Sequence, residues 1–212
     1  LNGDGHDELV IANHYNGIEF ELNADVFYGS TEGPGERHHQ RLPAPCATAV
    51  AAGDFDGDGR CDLALVCRGR VRHFPQTGLG FEPKRFTDLD LPGTELAAAD
   101  LDGDGYCDLV VRDREGAVRV YWGGGDGIDP GRCALLPVAP DPPDPDAEGR
   151  RRYAESVEDA PPLVKVVRLG RAWQVFVARR ERVWLVPAVP GTRQFGRPWT
   201  LACPHALSVA VG

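Results

Sequence analysis

An acidic, glycine-rich loop repeated without gaps, small-residue segments ahead of it and aliphatic segments after it predict an all-β chain, a β-propeller of four-stranded blades. The repeat is carried by Leu1-Asn-Gly-Asp-Gly-His-Asp-Glu-Leu-Val-Ile11, Asp54-Phe-Asp-Gly-Asp-Gly-Arg-Cys-Asp-Leu-Ala-Leu65 and Asp100-Leu-Asp-Gly-Asp-Gly-Tyr-Cys-Asp-Leu-Val-Val111. From Asn2 to Asp56 the chain advances 54 residues, and from Asp56 to Asp102 it advances 46. A blade of four short strands and their turns occupies about that length. About four blades are expected, at residues 1–45, 46–92, 93–139 and 163–205, with 206–212 as the first strand of the next blade. The first residue falls inside a loop, one place after its opening position, so the expectation is a piece of a larger, seven-bladed propeller.

Within a blade the elements follow in a fixed order. Residues 48–53 and 95–99 are rich in alanine, and small side chains suit an innermost strand where neighbouring blades converge on an axis. After the loop, 62–66 and 108–112 are runs of aliphatic residues, which read as buried strands. A turn leads to a third strand, 71–74 or 118–122, the latter with alternation of period two. The outer strand is expected to be charged, at 37–41 and 84–87, because charge on an exposed sheet edge opposes aggregation. The fourth blade lacks the acidic loop: strands at 163–168, 173–177 and 182–186 are joined first by a short turn at 169–172. Residues 140–162, dense in proline and acid, read as a solvated insertion.

Composition narrows the function. With 26 glycines, 18 prolines and 42% hydrophobic residues, the chain suits many short elements joined by turns rather than a helical bundle. A net charge of −9 argues against nucleic acid or an anionic membrane as partner. No apolar run approaches the roughly 18 residues of a membrane span, so no membrane insertion is expected in this segment. Six cysteines without a CxxC pair give no zinc or redox motif.

The loops carry the chemistry. Asp54, Asp56, Asp58 and Asp62 occupy positions 1, 3, 5 and 9 of the second loop, and the Arg60 carbonyl at position 7 adds an oxygen. Alternate residues of a tightly curled loop aim their oxygens at one centre. A hard cation accepting six to eight oxygens, Ca²⁺ rather than Mg²⁺, is the ion such a set suits. The third loop repeats the set with Asp100, Asp102, Asp104, the Tyr106 carbonyl and Asp108. The first offers Asn2, Asp4, the His6 carbonyl and Glu8 but no position 1, so two complete calcium sites and one truncated site are expected. An EF-hand would need a bidentate glutamate at position 12 and a following helix, but Leu65 and Val111 stand there, inside aliphatic runs.

These loops, together with Val26-Phe-Tyr-Gly29 and Val120-Tyr-Trp-Gly123, resemble the FG-GAP/VCBS repeats of integrin α-chain propellers and bacterial secreted proteins. The resemblance implies loops that join the first two strands of a blade and hold Ca²⁺ on one face. It also implies a secreted or cell-surface protein, and the arginine-biased composition, with Lys84 and Lys165 as the only lysines, points to a bacterial source. The function expected is a non-catalytic, adhesion-type module that binds a protein or glycan. The alternative is the propeller part of a secreted polysaccharide lyase or glycoside hydrolase. No catalytic set emerges to support the alternative: His38 and His39 fall on a polar outer strand, and His14, His73 and His205 stand alone. Tyr15, Tyr121 and Trp122 could stack on sugar but are expected to pack between blades.

Overall fold

A computed structural model describes residues 1, 4–14, 18, 21–78, 80–138, 163–179 and 182–202. Asn2, Tyr15, Cys203, His205, the 140–162 insertion and the 206–212 strand lie outside the described residues. Among the described residues there are five antiparallel sheets and no α-helix. No helix there is long and apolar enough to cross a membrane.

The first sheet holds β1 (Leu9–Ile11), β2 (Asn23–Phe27) and β3 (His39–Pro43). The second holds β4 (Ala47–Gly53), β5 (Asp62–Cys67) and β6 (Arg70–Phe74). A two-stranded ribbon, β7 (Gln76–Thr77) and β8 (Gly80–Phe81), then leads to its outer strand β9 (Thr87–Pro92). The third runs β10 (Glu95–Ala99), β11 (Asp108–Arg112), β12 (Val118–Tyr121) and β13 (Cys133–Leu135). The fourth runs β14 (Leu163–Leu169), β15 (Ala172–Arg179), β16 (Arg182–Pro187) and β17 (Trp199–Ala202). In the second to fourth sheets the strands pair in chain order, and the acidic loops join β4 to β5 and β10 to β11.

Why β5 and β11 read as unbroken aliphatic runs is clear from what covers them. Every residue of both strands is buried. Leu63 and Leu65 face Ala24, Val26 and Leu42 of the first sheet, whereas Ala64 and Val66 face Leu109 and Val111 of the third. Val110, on the other face of β11, packs with Val118, Val120, Val164 and Val175 against the fourth sheet. A strand with a sheet on each face has no polar side to alternate with. The alanine-rich strands stand at the edges of their sheets, β10 running beside β4 on one flank and β14 on the other. Together they line a cleft of about 410 Å³ whose walls include Thr48, Ala49, Glu95, Ala97 and Lys165.

Two outer strands differ from expectation. The first begins at His39, after a short 3₁₀ turn over Glu36–His38, rather than at 37. The second is β9, which shares only Thr87 with the expected 84–87. Its alternation decides the matter: Leu91 is buried, while Asp88 and Asp90 pair with Arg72 and Arg70 of β6. Residues 82–85 form the turn before it, closed by the Arg85 N–H donating to the Glu82 carbonyl at 2.9 Å. Tyr121 and Trp122 are core residues, and Phe195 stacks on Trp122 with ring centroids 5.8 Å apart.

Candidate metal centres

Each acidic loop is wound by its own carboxylates. In the second, Asp54 accepts the N–H groups of Gly57 and Gly59 at 2.7 and 2.9 Å, Asp56 accepts that of Asp58, and Asp58 that of Arg60. Gly57 and Gly59 sit at φ of 74° and 81°, which side chains other than glycine rarely adopt. The third loop repeats the winding, with Asp100 accepting from Gly103, Asp104 and Gly105, Asp102 from Asp104 and Asp104 from Tyr106. In the first, Asp4 accepts the His6 N–H at 2.9 Å. Position 3 of that loop, Asn2, lies outside the described residues.

This winding turns carboxylates together. One oxygen from each of Asp54, Asp56 and Asp58 lies within 4.8 Å of the others, and the same holds for Asp100, Asp102 and Asp108. Both are all-oxygen sets of the kind a hard cation takes. The remaining two acids have other partners as well. Asp62 is fully buried, accepts the Gln76 N–H at 2.8 Å and lies 3.1 Å from His73 Nε2. Asp104 pairs with Arg193, which reaches in from the connection between β16 and β17. Arg60 turns its guanidinium onto Asp58 and onto the Gln76 carbonyl.

Position 9 also ties the loop to the sheet. Asp108 accepts the Leu101 N–H at 2.8 Å and the Gly123 N–H at 3.0 Å, as Asp62 does for Gln76 at the matching end of β6. Burial pushes the Asp108 carboxyl up to about 7, against the two backbone donors, and the nearby Asp102 and Asp104 charges add to the rise. Asp56 is also raised by burial, with Asp62, Asp58 and Asp54 adding to it. A bound cation would relieve the burial and the neighbouring charges that act on Asp56 and Asp108, so the donor chemistry fits a divalent ion.

Successive loops touch. The Cys107 N–H donates to the Asp54 carbonyl at 2.7 Å, and the Gly124 N–H to the Phe55 carbonyl at 3.1 Å. Tyr106 covers Gly57 so closely that a Cβ there would meet its ring at 2.4 Å. The glycine closing the Val120-Tyr-Trp-Gly123 motif is required for a similar reason: a Cβ on Gly123 would stand 2.4 Å from the Cys107 carbonyl oxygen, and Gly29 repeats this against Asp7.

Sequence reasoning missed His73 and Arg193. His73 meets Asp62 across the hairpin of β5 and β6, where it pairs with Ala64, so the cross-strand register could have revealed it. No local signal marks Arg193, which lies 91 residues from Asp102. His39 is stacked on Phe27 and lies 2.6 Å from Asp25.

No curated protein matches the chain. The model of the FG-GAP-like repeat matches twice, over residues 1–65 and 54–111, which takes in all three loops and the first two sheets, and the chain therefore belongs to the FG-GAP-like repeat family.

Proposed function

We propose that the acidic loops are calcium sites and that the chain is part of a propeller serving outside the cell as a non-catalytic module that binds a protein or glycan. The observation that carries this reading is the convergence of three aspartates within 4.8 Å in each of two successive repeats. Face-to-face stacking of the sheets, with their first strands β4, β10 and β14 side by side, supports the propeller arrangement. When bound, Ca²⁺ would supply the positive charge that the crowded carboxylates lack. Asp54, Asp56, Asp58, Asp62 and the Arg60 carbonyl would hold it in one loop. Asp100, Asp102, Asp104, Asp108 and the Tyr106 carbonyl would do so in the next. Asn2, Asp4, Glu8 and the His6 carbonyl would make up the truncated third set.

The role proposed for the ion is structural. Asp62 and Asp108 fasten the ends of β6 and β12 through the Gln76 and Gly123 N–H groups, so neutralising these loops stabilises the hairpins they close. Binding to the folded state alone adds stability that grows with free calcium. Sites of this kind in extracellular modules work at about 10⁻⁴–10⁻³ M, which suits a secreted or surface location.

The test is a calorimetric calcium titration with paired thermal melts in Ca²⁺ and in EDTA. Two or more binding events and a higher melting temperature in calcium are expected. No heat and no shift would sink the calcium reading. Turnover of a polysaccharide by the chain would replace the binding-module reading with the enzymatic one.

A further inference from the structure

The two acidic loops differ in the cation each already meets. In the second loop, Arg60 reaches Asp58 from within the loop, and the Asp54 and Asp56 bonds described above are to backbone donors. In the third, the cation comes from another sheet. Arg193 donates Nε to Asp102 at 3.1 Å and Nη2 to Asp104 at 3.3 Å, across 91 and 89 residues of sequence.

The segment that delivers it is built for the contact. Between β16 and β17, Ala188 bridges to Phe195, and Val189 and Gln194 close a turn through the Val189 N–H, which donates at 3.0 Å. The Gly191 N–H donates to the Asp102 carbonyl at 2.7 Å. The guanidinium of Arg193 stands 5.8 Å from the centre of the Trp122 ring, on which Phe195 stacks. One aspartate of the cluster thus receives both a backbone donor and a fixed positive charge from the fourth sheet.

Resting on the calcium reading, we infer that Arg193 is an internal counter-ion of the third loop, which competes with metal for Asp102 and Asp104 and couples the filling of that loop to the docking of residues 189–198. The carboxylates that a divalent ion would share are the ones Arg193 holds, and two cations on one carboxylate pair repel. The Arg193 side chain keeps 45% of its exposure, which limits the effect to that of a partly screened ion pair. Its removal is therefore expected to tighten calcium binding at this loop by about two- to fivefold.

The experiment is a calcium titration of the full chain carrying Asp56→Asn, which sets the second loop aside, with Arg193 intact, as Arg193→Gln and as Arg193→Lys. Arg197→Gln, on the same connection, removes an equal charge as a control. Tighter binding in Arg193→Gln, with Arg197→Gln unchanged and Arg193→Lys between them, is expected. Thermal melts supply a second readout: Arg193→Gln should melt below the parent in EDTA, and the gap should narrow in saturating calcium. Equal tightening by both glutamine variants would reduce Arg193 to one charge among many and overturn the inference. Weaker binding in Arg193→Gln would make Arg193 a support of the metal site and overturn it too. Binding in all variants with unchanged affinity sinks the inference alone, whereas no binding in any variant, nor in the parent chain with its second loop unaltered, sinks the calcium reading with it.

Discussion

Asp108 has two tasks at once. It belongs to the converging oxygen set of the third loop, and it caps the N–H of Gly123 where β12 ends. Asp108→Asn keeps the size but loses the charge and one acceptor oxygen. It is expected to weaken calcium at this loop by at least about tenfold, on the scale of losing a carboxylate ligand, and a titration against the parent checks this. Gly123→Ala should lower stability by about 1–3 kcal/mol in a urea melt, because a methyl group must push away the Cys107 carbonyl. A third prediction concerns charge at the surface. Arg72 donates Nε and Nη2 to the two oxygens of Asp88 at 2.5 and 2.8 Å and holds that carboxyl below the usual carboxylate range. Because the folded value is lowered, the stabilisation is present above the unfolded pKa of about 3.9 and is lost as pH falls through the folded value. Asp88 is more than half exposed, so the pair contributes only about 0.5 kcal/mol after screening. Asp88→Asn should remove that much at pH 7 and nothing once the pH lies below both values, as denaturant melts at the two pH values would report.

At the scale of the strand, burial on two faces was legible and burial on one face was not. The strands β5, β10, β11 and β12 fall within a residue or two of their expected places, because apolar runs bounded by glycine and aspartate have one reasonable reading. The outer strand β9 was misplaced because 84–87 and 87–92 both carry charge, and only pairing with β6 selects between them. That pairing turns Leu91 inward, beside Val66, Val71 and Val111. Leu91→Ala is therefore expected to cost about 2–5 kcal/mol, and Lys84→Ala, in the exposed turn, less than about 0.5 kcal/mol. Equal costs in a pair of urea melts would contradict the observed register.

For the whole molecule, the loops stand where one sheet meets the next. The third touches the second through Cys107, Gly124 and Tyr106, and the fourth sheet touches the third through Gly191 and Arg193. A ligand that stabilises one loop should therefore act on its neighbours, and calcium is expected to raise a shared melting transition rather than a local one. Fluorescence of the buried Trp122 and far-ultraviolet circular dichroism should then shift together. Separate shifts would mean that the sheets melt independently. The sequence by itself determined the repeat, the all-β class and the acids that could meet a metal, since a loop wound by its own aspartates and glycines is a local structure. Only the tertiary structure decided which distant groups those acids meet. Asp62 is bound at the Gln76 N–H and beside His73, and Asp104 by Arg193, groups brought in by sheet pairing and sheet stacking from 11 to 89 residues away. Such partners leave no trace in the local pattern, because a carboxylate's charge and spacing are the same whether a metal or a distant arginine answers it.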